Sequence, residues 1–342
     1  MDQIKNFLLK FPAMKILITG ATGYIGHKLT HAAIAKGYHV HILTRDIHSK
    51  FLPIHPNITV FKGDVTDKES ILTAMEGCDK VLHAAGVTKF YAKNNYIFYK
   101  VNVEGTKNML DAALSLGIKK FVFTSTGAVL GPSGKYPMTE NDPRITAFEN
   151  DYEISKHWAE ELVKEYSRKG LFAMIVAAPR VYGPGIFTTG NVFDRLLSKI
   201  LSIRMAFVPA KGEVVANYAF VDDVINGHFL ALDHGLDGEK YILGGENLSY
   251  NTFFKTVREY AGKKIWLIRI PQPLLVAWSF FHKLIHNITG KETNISPTTV
   301  KRLMRDRALS SDKAVRQLGY TITPFAEAIN QTIIHLKNKK HA

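Results

Sequence analysis

The chain has one cysteine, Cys78, among its 342 residues, so it cannot form an internal disulfide and does not call for an oxidising compartment. It also lacks a run of about 18 consecutive apolar residues, the length that a membrane-spanning helix needs. Cysteine and histidine spacings typical of zinc sites do not occur, and we expect no bound metal. The 46 % of hydrophobic residues can build a large core, which excludes a disordered or fibrous protein. We expect a cytoplasmic protein.

Acidic residues are few relative to basic ones, 30 against 44, which gives a formal net charge of +14. Basic and aromatic residues do not alternate as they do on nucleic-acid-binding surfaces, so we interpret the charge as a solvated basic surface and expect no nucleic-acid partner. The apolar segment 274–285 is interrupted by Ser279, His282 and Lys283, which favours a buried helix. The alternative is a shallow helix that contacts the inner face of a membrane peripherally.

Short apolar runs alternate with helix-length segments from Lys15 onward. The strand-like runs are 15–19, 40–44, 58–61, 80–83, 121–125 and 172–178. The helix-like segments between them are 25–35, 71–75, 102–116 and 152–166. Continuous Val, Ile, Leu and Phe strands separated by helices predict an α/β fold, a Rossmann-type doubly wound parallel sheet whose ligands bind at the carboxyl ends of the strands.

The rhythm changes after about residue 180, where loops, a strand at 240–243 and several helices follow. We therefore expect a dinucleotide-binding domain at 14–180 and a smaller C-terminal α+β substrate lobe at 181–336, interleaved with the sheet. Residues 1–13 precede a complete first strand and are interpreted as an extension, and 337–342 as a basic tail.

A glycine-rich turn joins the first strand to the first helix, and it reads Thr-Gly-Ala-Thr-Gly-Tyr-Ile-Gly. Glycine permits a tight turn and lets backbone approach a pyrophosphate, while the helix N-terminus offers unpaired N–H groups and a positive dipole end. The residues expected to bind the cofactor here are Gly20, Thr22, Gly23, Tyr24, Ile25 and Gly26.

The end of the second strand distinguishes the two nicotinamide cofactors. An NAD site usually has a carboxylate there for the ribose 2′-OH, but this strand ends in Thr44-Arg45. Arg45 can form a forked contact with a 2′-phosphate, with Lys50 as support, although Asp46 competes for it. The pattern favours NADP(H) over NAD(H).

Two further segments fit the same cleft. Asp64, followed by Val65, comes after the third strand and could accept a hydrogen bond from the adenine amino group. Ala84 and Ala85 end the fourth strand with small side chains that leave room for the cofactor.

A tyrosine and a lysine four residues apart share one face of a helix, where the ammonium group can lower the tyrosine pKa. Four pairs have this spacing: Tyr24/Lys28, Tyr96/Lys100, Tyr152/Lys156 and Tyr260/Lys264. Only Tyr152/Lys156 begins the helix that follows the fifth strand, whose end supplies the hydroxyls of Ser125 and Thr126. The apolar spacing on this helix predicts an inward stripe of Ile154, Trp158, Leu162 and Tyr166, with the pair near its edge.

These motifs together resemble the extended short-chain dehydrogenases/reductases, within the NAD-dependent epimerase/dehydratase superfamily. The matching segments are 19–26, 63–64, 83–86, 102–106, 124–131, 152–156, 179–185 and 220–223. The resemblance implies that Thr126 is the catalytic hydroxyl, Tyr152 the general acid/base and Lys156 the residue that holds the nicotinamide ribose. It also adds Pro179 and Val181 to the cofactor site.

The branch within the superfamily is less sharply indicated. Sugar-nucleotide members often carry an Arg-Asp pair where this chain has Ala216-Asn217. That departure and Arg45 favour the reductases that resemble dihydroflavonol reductase or 3β-hydroxysteroid dehydrogenase, which act on a secondary alcohol or ketone of an apolar small molecule. The alternatives are an epimerase or dehydratase that retains NAD, and a non-catalytic dinucleotide-binding sensor. Resemblance also implies a homodimer through the helices at 102–116 and 152–166.

Overall fold

Seven parallel strands form the main sheet of the computed structural model, which describes residues 14–88, 94–188, 190–289 and 297–339. The N-terminal extension expected at 1–13 and the last three residues of the tail lie outside the described residues. With all strands numbered in chain order, the sheet contains β1 (Lys15–Thr19), β2 (His39–Thr44), β3 (Ile58–Lys62), β4 (Lys80–His83), β5 (Lys120–Thr126), β6 (Ala173–Ala178) and β10 (Lys240–Ile242). The doubly wound α/β fold is confirmed.

The spatial order of the strands is β10-β6-β5-β4-β1-β2-β3, so the order reverses between β1 and β4. In open parallel sheets such a reversal leaves a crevice at the carboxyl ends, because the connecting helices diverge to opposite faces. Thr19 of β1 is in register with His83 of β4 at this position. The expected cofactor segments therefore converge at this edge of the sheet.

Two hydrophobic layers cover the sheet, one on each face. Successive residues of β1 point to opposite faces, so Ile16 and Ile18 pack into one layer and Leu17 into the other. The first layer includes helices α1 (Tyr24–Ala35), α6 (Val221–His234) and α10 (Asp312–Leu318). The second includes α2 (Lys68–Met75), α3 (Gly105–Ser115) and α4 (Asp151–Arg168). A short helical segment, Tyr96–Phe98, and a π-helical turn, Tyr99–Glu104, lead into α3.

The remaining elements pack beside the carboxyl ends of the sheet around a third, aromatic core in which Tyr218, Phe253 and Phe325 contact one another. The strands are β7 (Arg180–Tyr182), β8 (Met205–Pro209), β9 (Val215–Phe220), β11 (Glu246–Ser249) and β12 (Trp266–Ile270). The helices are α5 (Val192–Ile203), α7 (Tyr250–Ala261), α8 (Gln272–Thr289), α9 (Pro297–Leu303) and α11 (Phe325–Asn338).

The strand expected at 240–243 among the elements of the substrate lobe completes the main sheet instead, as β10 beside β6. Its residues are buried, and Lys240 forms an ion pair with Glu160 of α4 at 2.8 Å. The chain thus returns from the lobe to cover the open edge of β6, whose residues are all buried. A division of the chain at residue 180 remains a proposal.

The substitution Gly26→Ala tests how closely α1 packs against the glycine turn that follows β1. A Cβ at this position would lie 2.2 Å from the Gly20 carbonyl oxygen, so Gly26→Ala must push α1 away from the turn. We expect a loss of about 1–3 kcal/mol in the free energy of unfolding and weaker dinucleotide binding, measured by thermal unfolding and fluorescence titration. Gly134→Ala is the control, because nothing lies within 4 Å of its added Cβ. Equal effects of the two changes would contradict the close approach.

Candidate active site

The glycine turn leaves the start of α1 open for an anion. The helix begins after Gly23, no side chain of the described residues caps it, and its first turn contains no acidic residue. Gly20 has a φ of +77°, and a Cβ there would lie 2.8 Å from the backbone of Ala84. Because the backbone comes this close only with glycine, and the first N–H groups of a helix lack intrahelical partners, the turn fits a dinucleotide pyrophosphate.

Tyr24 contributes to the glycine turn only through its backbone, because its side chain points away from the turn. The Tyr24 hydroxyl donates a hydrogen bond to the Gly183 carbonyl oxygen at 2.7 Å, and its ring packs against Gly185. The contact links the start of α1 to the loop after β7.

At the tip of β2 the structure brings Arg45 and Asp64 together, with Arg45 Nε 3.8 Å from Asp64 Oδ2. The Arg45 side chain is 77 % exposed, and an exposed pair at this distance contributes little to stability. Lys50 does not join them, since its ammonium group lies over the Phe51 ring, 5.2 Å from the centroid. The Val65 side chain is in the core. Asp46, the expected competitor for Arg45, accepts from the backbone N–H of His48.

A hydrogen-bond chain fixes the segment after β4. His83 Nδ1 lies 2.7 Å from Thr19 Oγ1 and its Nε2 lies 3.1 Å from Thr106 Oγ1. Full burial lowers the pKa of His83 to about 3, so the ring is neutral at physiological pH. Thr19 Oγ1 also accepts from the Ala85 backbone N–H. This chain holds Ala84 and Ala85 against the glycine turn.

The structure separates the two candidate hydroxyls at the end of β5. Thr126 hydrogen-bonds with the Tyr152 side chain and accepts from the Ala128 backbone N–H at 3.2 Å. Ser125 donates to Glu160 Oε1 at 2.5 Å instead. Both hydroxyls thus face α4, but Ser125 is engaged by Glu160, two turns after Tyr152, whereas Thr126 contacts Tyr152, which favours the Thr126 assignment.

Lys156 lies one turn after Tyr152 and is buried. Its ammonium group donates to the Thr124 carbonyl oxygen at 2.7 Å and lies 3.9 Å from the centroid of the Phe123 ring. Burial lowers the pKa of Lys156 to about 7, against a smaller opposing influence of Glu160. The group therefore titrates near neutral pH.

The pKa of Tyr152 is influenced by groups that the four-residue Tyr/Lys spacing does not reveal. Burial raises its pKa, and the opposing influences are the hydrogen bond from Thr126 and the positive charge of Arg302. Arg302 lies on α9, so a cation from the lobe acts on the tyrosine.

The inward stripe predicted for α4 is wrong at Trp158, whereas Tyr166 is buried and Leu162 packs half-buried against the core. Trp158 is 54 % exposed, whereas the buried face carries Tyr152, Lys156, Ala159 and Glu160. The apolar spacing misleads because this face is polar: its charges are buried and paired, as in the Glu160–Lys240 ion pair. The pair Tyr152/Lys156 is thus on the buried face of the helix, not at its edge.

Asn102, in the π-helical turn, is a positioning residue that the sequence motif contains but that sequence reasoning left without a role. Its side chain accepts from the Val87 N–H at 2.8 Å, and it donates to the Val87 carbonyl oxygen and to Ser155 Oγ at 3.1 and 3.0 Å. It therefore fixes both the loop after β4 and helix α4.

Arg144 is a second positioning residue, and no sequence motif marks it. Its guanidinium donates to the carbonyl oxygens of Ala128 and Val129 at 2.9 Å and to Glu153 Oε2 at 2.6 Å. These bonds connect the segment after Thr126 to the residue that follows Tyr152.

A group of arginines lies on the lobe side of Tyr152. Arg302 Nη1 is 3.1 Å from Glu153 Oε1, and Arg307 Nη2 is 2.7 Å from Glu149 Oε2. Arg307 is buried, and its Nε and Nη1 have no hydrogen-bond partner among the described residues. The guanidinium of Arg180 contacts the hydroxyls of two tyrosines at 3.3 and 3.4 Å. The only signal in the sequence is the run of arginines at 302–307.

Pro179 and Val181, which the family resemblance adds to the cofactor site, both follow the end of β6 and are half-buried.

Among the residues that the structure describes, no group of histidines, cysteines and carboxylates could hold a metal ion. No helix within this part of the chain has the length and hydropathy to cross a bilayer.

Comparisons with known proteins agree with this geometry. The model of the NAD dependent epimerase/dehydratase family matches residues 16–244. A 3-beta-hydroxysteroid dehydrogenase of Mycolicibacterium neoaurum is 28 % identical over 327 residues, which cover 90 % of this chain and 86 % of that protein. The N-acetyl-alpha-D-glucosaminyl-diphospho-ditrans,octacis-undecaprenol 4-epimerase of Escherichia coli O157:H7 is 28 % identical over 325 residues, 93 % of this chain and 94 % of the relative. The crystal structure of gox2253 has a TM-score of 0.81 and 29 % identity, covering 96 % and 99 % of the two chains.

Asn102→Ala tests the positioning role. It removes the partner of the half-buried N–H and C=O of Val87 and of the buried Ser155 hydroxyl, so we expect the free energy of unfolding to fall by about 1–3 kcal/mol and dinucleotide binding to weaken. Asn108→Ala on α3 is the control, because Asn108 makes one half-buried bond to the Val65 carbonyl oxygen at 3.2 Å. Denaturant unfolding and titration with NAD(P)H measure both effects. An Asn102 variant no worse than the control would exclude the role.

The lowered pKa of Lys156 leads us to expect that the protein takes up protons when the dinucleotide binds. A pKa of about 7 leaves the Lys156 side chain mostly neutral at pH 8, and a nearby pyrophosphate raises that pKa because it favours the charged form. Binding should therefore take up a fraction of a proton at pH 8, less at pH 6, and affinity should fall as the pH rises above 7. Calorimetry in buffers of different ionisation enthalpy measures the uptake. The same uptake in Lys156→Met would assign the proton to another group.

Proposed function

The chain belongs to the NAD dependent epimerase/dehydratase family and is an enzyme, and from this membership we propose that it is an NADP(H)-dependent oxidoreductase. Its reaction would be hydride transfer between the nicotinamide and a secondary alcohol or ketone of an apolar small molecule. The proposal rests on the hydrogen bond between the side chains of Thr126, at the end of β5, and Tyr152, on the buried face of α4 one turn before Lys156.

The residues divide the chemistry between them. When bound, the dinucleotide supplies or accepts the hydride. Thr126 hydrogen-bonds the reacting oxygen and Tyr152 moves the proton to or from it. Burial raises the pKa of Tyr152, so this side chain stays protonated near neutral pH, the form that donates to a ketone oxygen. Lys156 would hold the ribose.

Arg45 supports the choice of NADP(H). A 2′-phosphate suits an exposed guanidinium, since forked charge-assisted hydrogen bonds match its oxygens. The carboxylate that pairs with Arg45 is that of Asp64, 3.8 Å away, and Asp64 Oδ1 already accepts two hydrogen bonds from Thr66. The surface pair would therefore yield to a phosphate at little free-energy cost.

The lobe supports an apolar substrate. Asn217, at the position of the aspartate in sugar-nucleotide members, donates to the Gly245 carbonyl oxygen and to Asn247 Oδ1, at 2.8 and 2.9 Å. Its neighbour Ala216 is buried and carries no charge. The relative from Mycolicibacterium neoaurum is named for a hydroxysteroid, an apolar secondary alcohol.

A second candidate is an epimerase that retains NAD and acts on a diphosphate-bearing sugar. It is favoured by the arginines on the lobe side, because the unpaired donors of Arg307 suit an anionic group. The Escherichia coli relative is named for such a diphosphate substrate. Reductase and epimerase differ in whether the cofactor leaves in each turnover.

Exposed apolar side chains on α3 and α4, Leu114 and Trp158, support a homodimer through these helices. Light scattering of the purified chain measures the oligomeric state directly.

Cofactor content and preference test the proposed function. The purified protein is denatured and released NAD(P) is assayed; the cofactor-free form is then titrated with NADPH and NADH. Arg45→Ala should weaken NADPH binding about 10-fold or more, the value of one charge-assisted contact, and leave NADH binding nearly unchanged. Lys50→Ala is the matched control, a nearby cation that lies over Phe51.

Weakly held cofactor with an NADPH preference lost in Arg45→Ala supports the reductase and justifies a screen of hydrophobic ketones. In that screen Tyr152→Phe should bind NADPH normally and lose turnover. Tightly retained NAD in stoichiometric amount would overturn the reductase and favour the epimerase.

A further inference from the structure

Helix α8 exposes most of the apolar side chains that the structure describes on it, those at 272–282. It packs on α9, and its only fully buried side chain within the described part is Ser279, with Leu275 and His282 half-buried beside it. On the remaining sides the exposed fractions are 61 % for Leu274, 44 % for Trp278, 57 % for Phe280 and 60 % for Phe281. A helix that only supported the lobe would bury such a set of side chains.

The strand pair before α8 continues this exposed surface. β8 and β12 are parallel neighbours, and Phe207 is in register with Ile268. Ala206 and Val208 point into the lobe core, so Phe207 points outward, as do Ile268 and Trp266. Pro271 joins β12 directly to α8. We call the exposed side chains Phe207, Trp266, Ile268, Leu274, Trp278, Phe280 and Phe281 the apolar face.

The charge around the apolar face has one sign. The sequence contains no Asp or Glu from Gly262 to Gly290, whereas Lys263, Lys264 and Arg269 lie in that stretch. Lys264 places its ammonium group over the Trp266 ring, 4.2 Å from the centroid. Tryptophan and lysine together are the residues that locate at the boundary between lipid acyl chains and headgroups.

We propose that the apolar face docks on a bilayer surface that contains anionic lipids, with α8 lying in the interface. The aromatic side chains would enter the headgroup region, and the three cations would contact anionic headgroups. A second copy of the chain fits less well, because a two-fold contact on this face would bring the same cations together, and the stretch from Gly262 to Gly290 supplies no carboxylate to pair them. The net charge of +14 favours the same partner.

The docked face would adjoin the candidate active site. A cleft of about 370 Å³ lies between α8 and α9, lined among others by Val276, Val300 and Met304, with Arg305 at its side. Helix α9 also carries Arg302, whose charge lowers the pKa of Tyr152. If the proposed function holds, this cleft suits an amphipathic substrate drawn from the bilayer.

Vesicle flotation of the full chain tests the docking without any assay of activity. The probes are phosphatidylcholine vesicles with and without about 30 % phosphatidylglycerol. We expect binding to the anionic vesicles, and the double variant Phe280→Asp/Phe281→Asp should bind about tenfold less. The control is Ile54→Asp/Ile145→Asp, which makes the same change at side chains that are 95 % and 60 % exposed elsewhere. Circular dichroism confirms that both variants fold.

Tryptophan quenching locates the contact. The chain has three tryptophans, of which Trp266 and Trp278 lie on the apolar face and Trp158 lies on α4. Brominated lipid in the anionic vesicles should quench the emission of Trp158→Phe, which retains the two face residues. It should leave the emission of Trp266→Phe/Trp278→Phe unchanged, because its remaining Trp158 is as exposed but lies outside the face.

Several results would overturn the proposal. They are no flotation with anionic vesicles, equal loss in the Ile54/Ile145 control, or quenching of Trp158 instead of the face residues. A dimer that Phe280→Asp/Phe281→Asp converts to monomer, without vesicle binding by the unchanged chain, would assign the face to a second copy. The cofactor titrations of the proposed function are independent of all these outcomes.

Discussion

Helix α4 buries ionisable side chains against the main sheet, and most of the site follows from their need for partners. Tyr152, Glu153, Lys156 and Glu160 are all buried. A buried charge without a partner costs several kcal/mol, so each is satisfied by a different segment. The Thr124 carbonyl oxygen accepts a hydrogen bond from Lys156, while Ser125 and Lys240 donate to Glu160. The position of α4 relative to β5 and β10 is thereby fixed, and with it the contact of Tyr152 with Thr126.

Glu153 extends this constraint to the lobe. Its carboxylate is fully buried and receives Arg144 from the segment after β5 and Arg302 from α9. The same residue therefore holds the Thr126 side of the site and the lobe side together, next to Tyr152. A displacement of α9 would change both a buried ion pair and the charge that lowers the pKa of Tyr152.

The local sequence pattern predicts the main sheet, the glycine turn and the helix that carries Tyr152 and Lys156. This is possible because strand periodicity and turn geometry depend on residues that are neighbours in the chain. The pattern failed where the structure depends on distant partners. Trp158 was expected inside because apolar spacing assumes an apolar interface, whereas the buried face of α4 is polar. Arg144 and Arg302 give no local sign of their contacts with Glu153. The strand at 240–243 was expected, but its pairing could not be read from the sequence, because its partner, β6, lies more than 60 residues earlier.

The reductase and epimerase reactions require different proton transfers from Tyr152. An epimerase must return the proton that it removes within one turnover, so the tyrosine has to exchange it readily in both directions. A reductase needs a tyrosine that is protonated when the ketone arrives and is reloaded afterwards. Burial holds Tyr152 in the protonated form, Arg302 opposes this from one side, and Lys156, with a pKa of about 7, can gain or lose a proton one turn away. In either reaction Tyr152 must release a proton that burial makes harder to lose, so the Thr126 hydroxyl and the charge of Arg302 are the groups that offset the effect of burial.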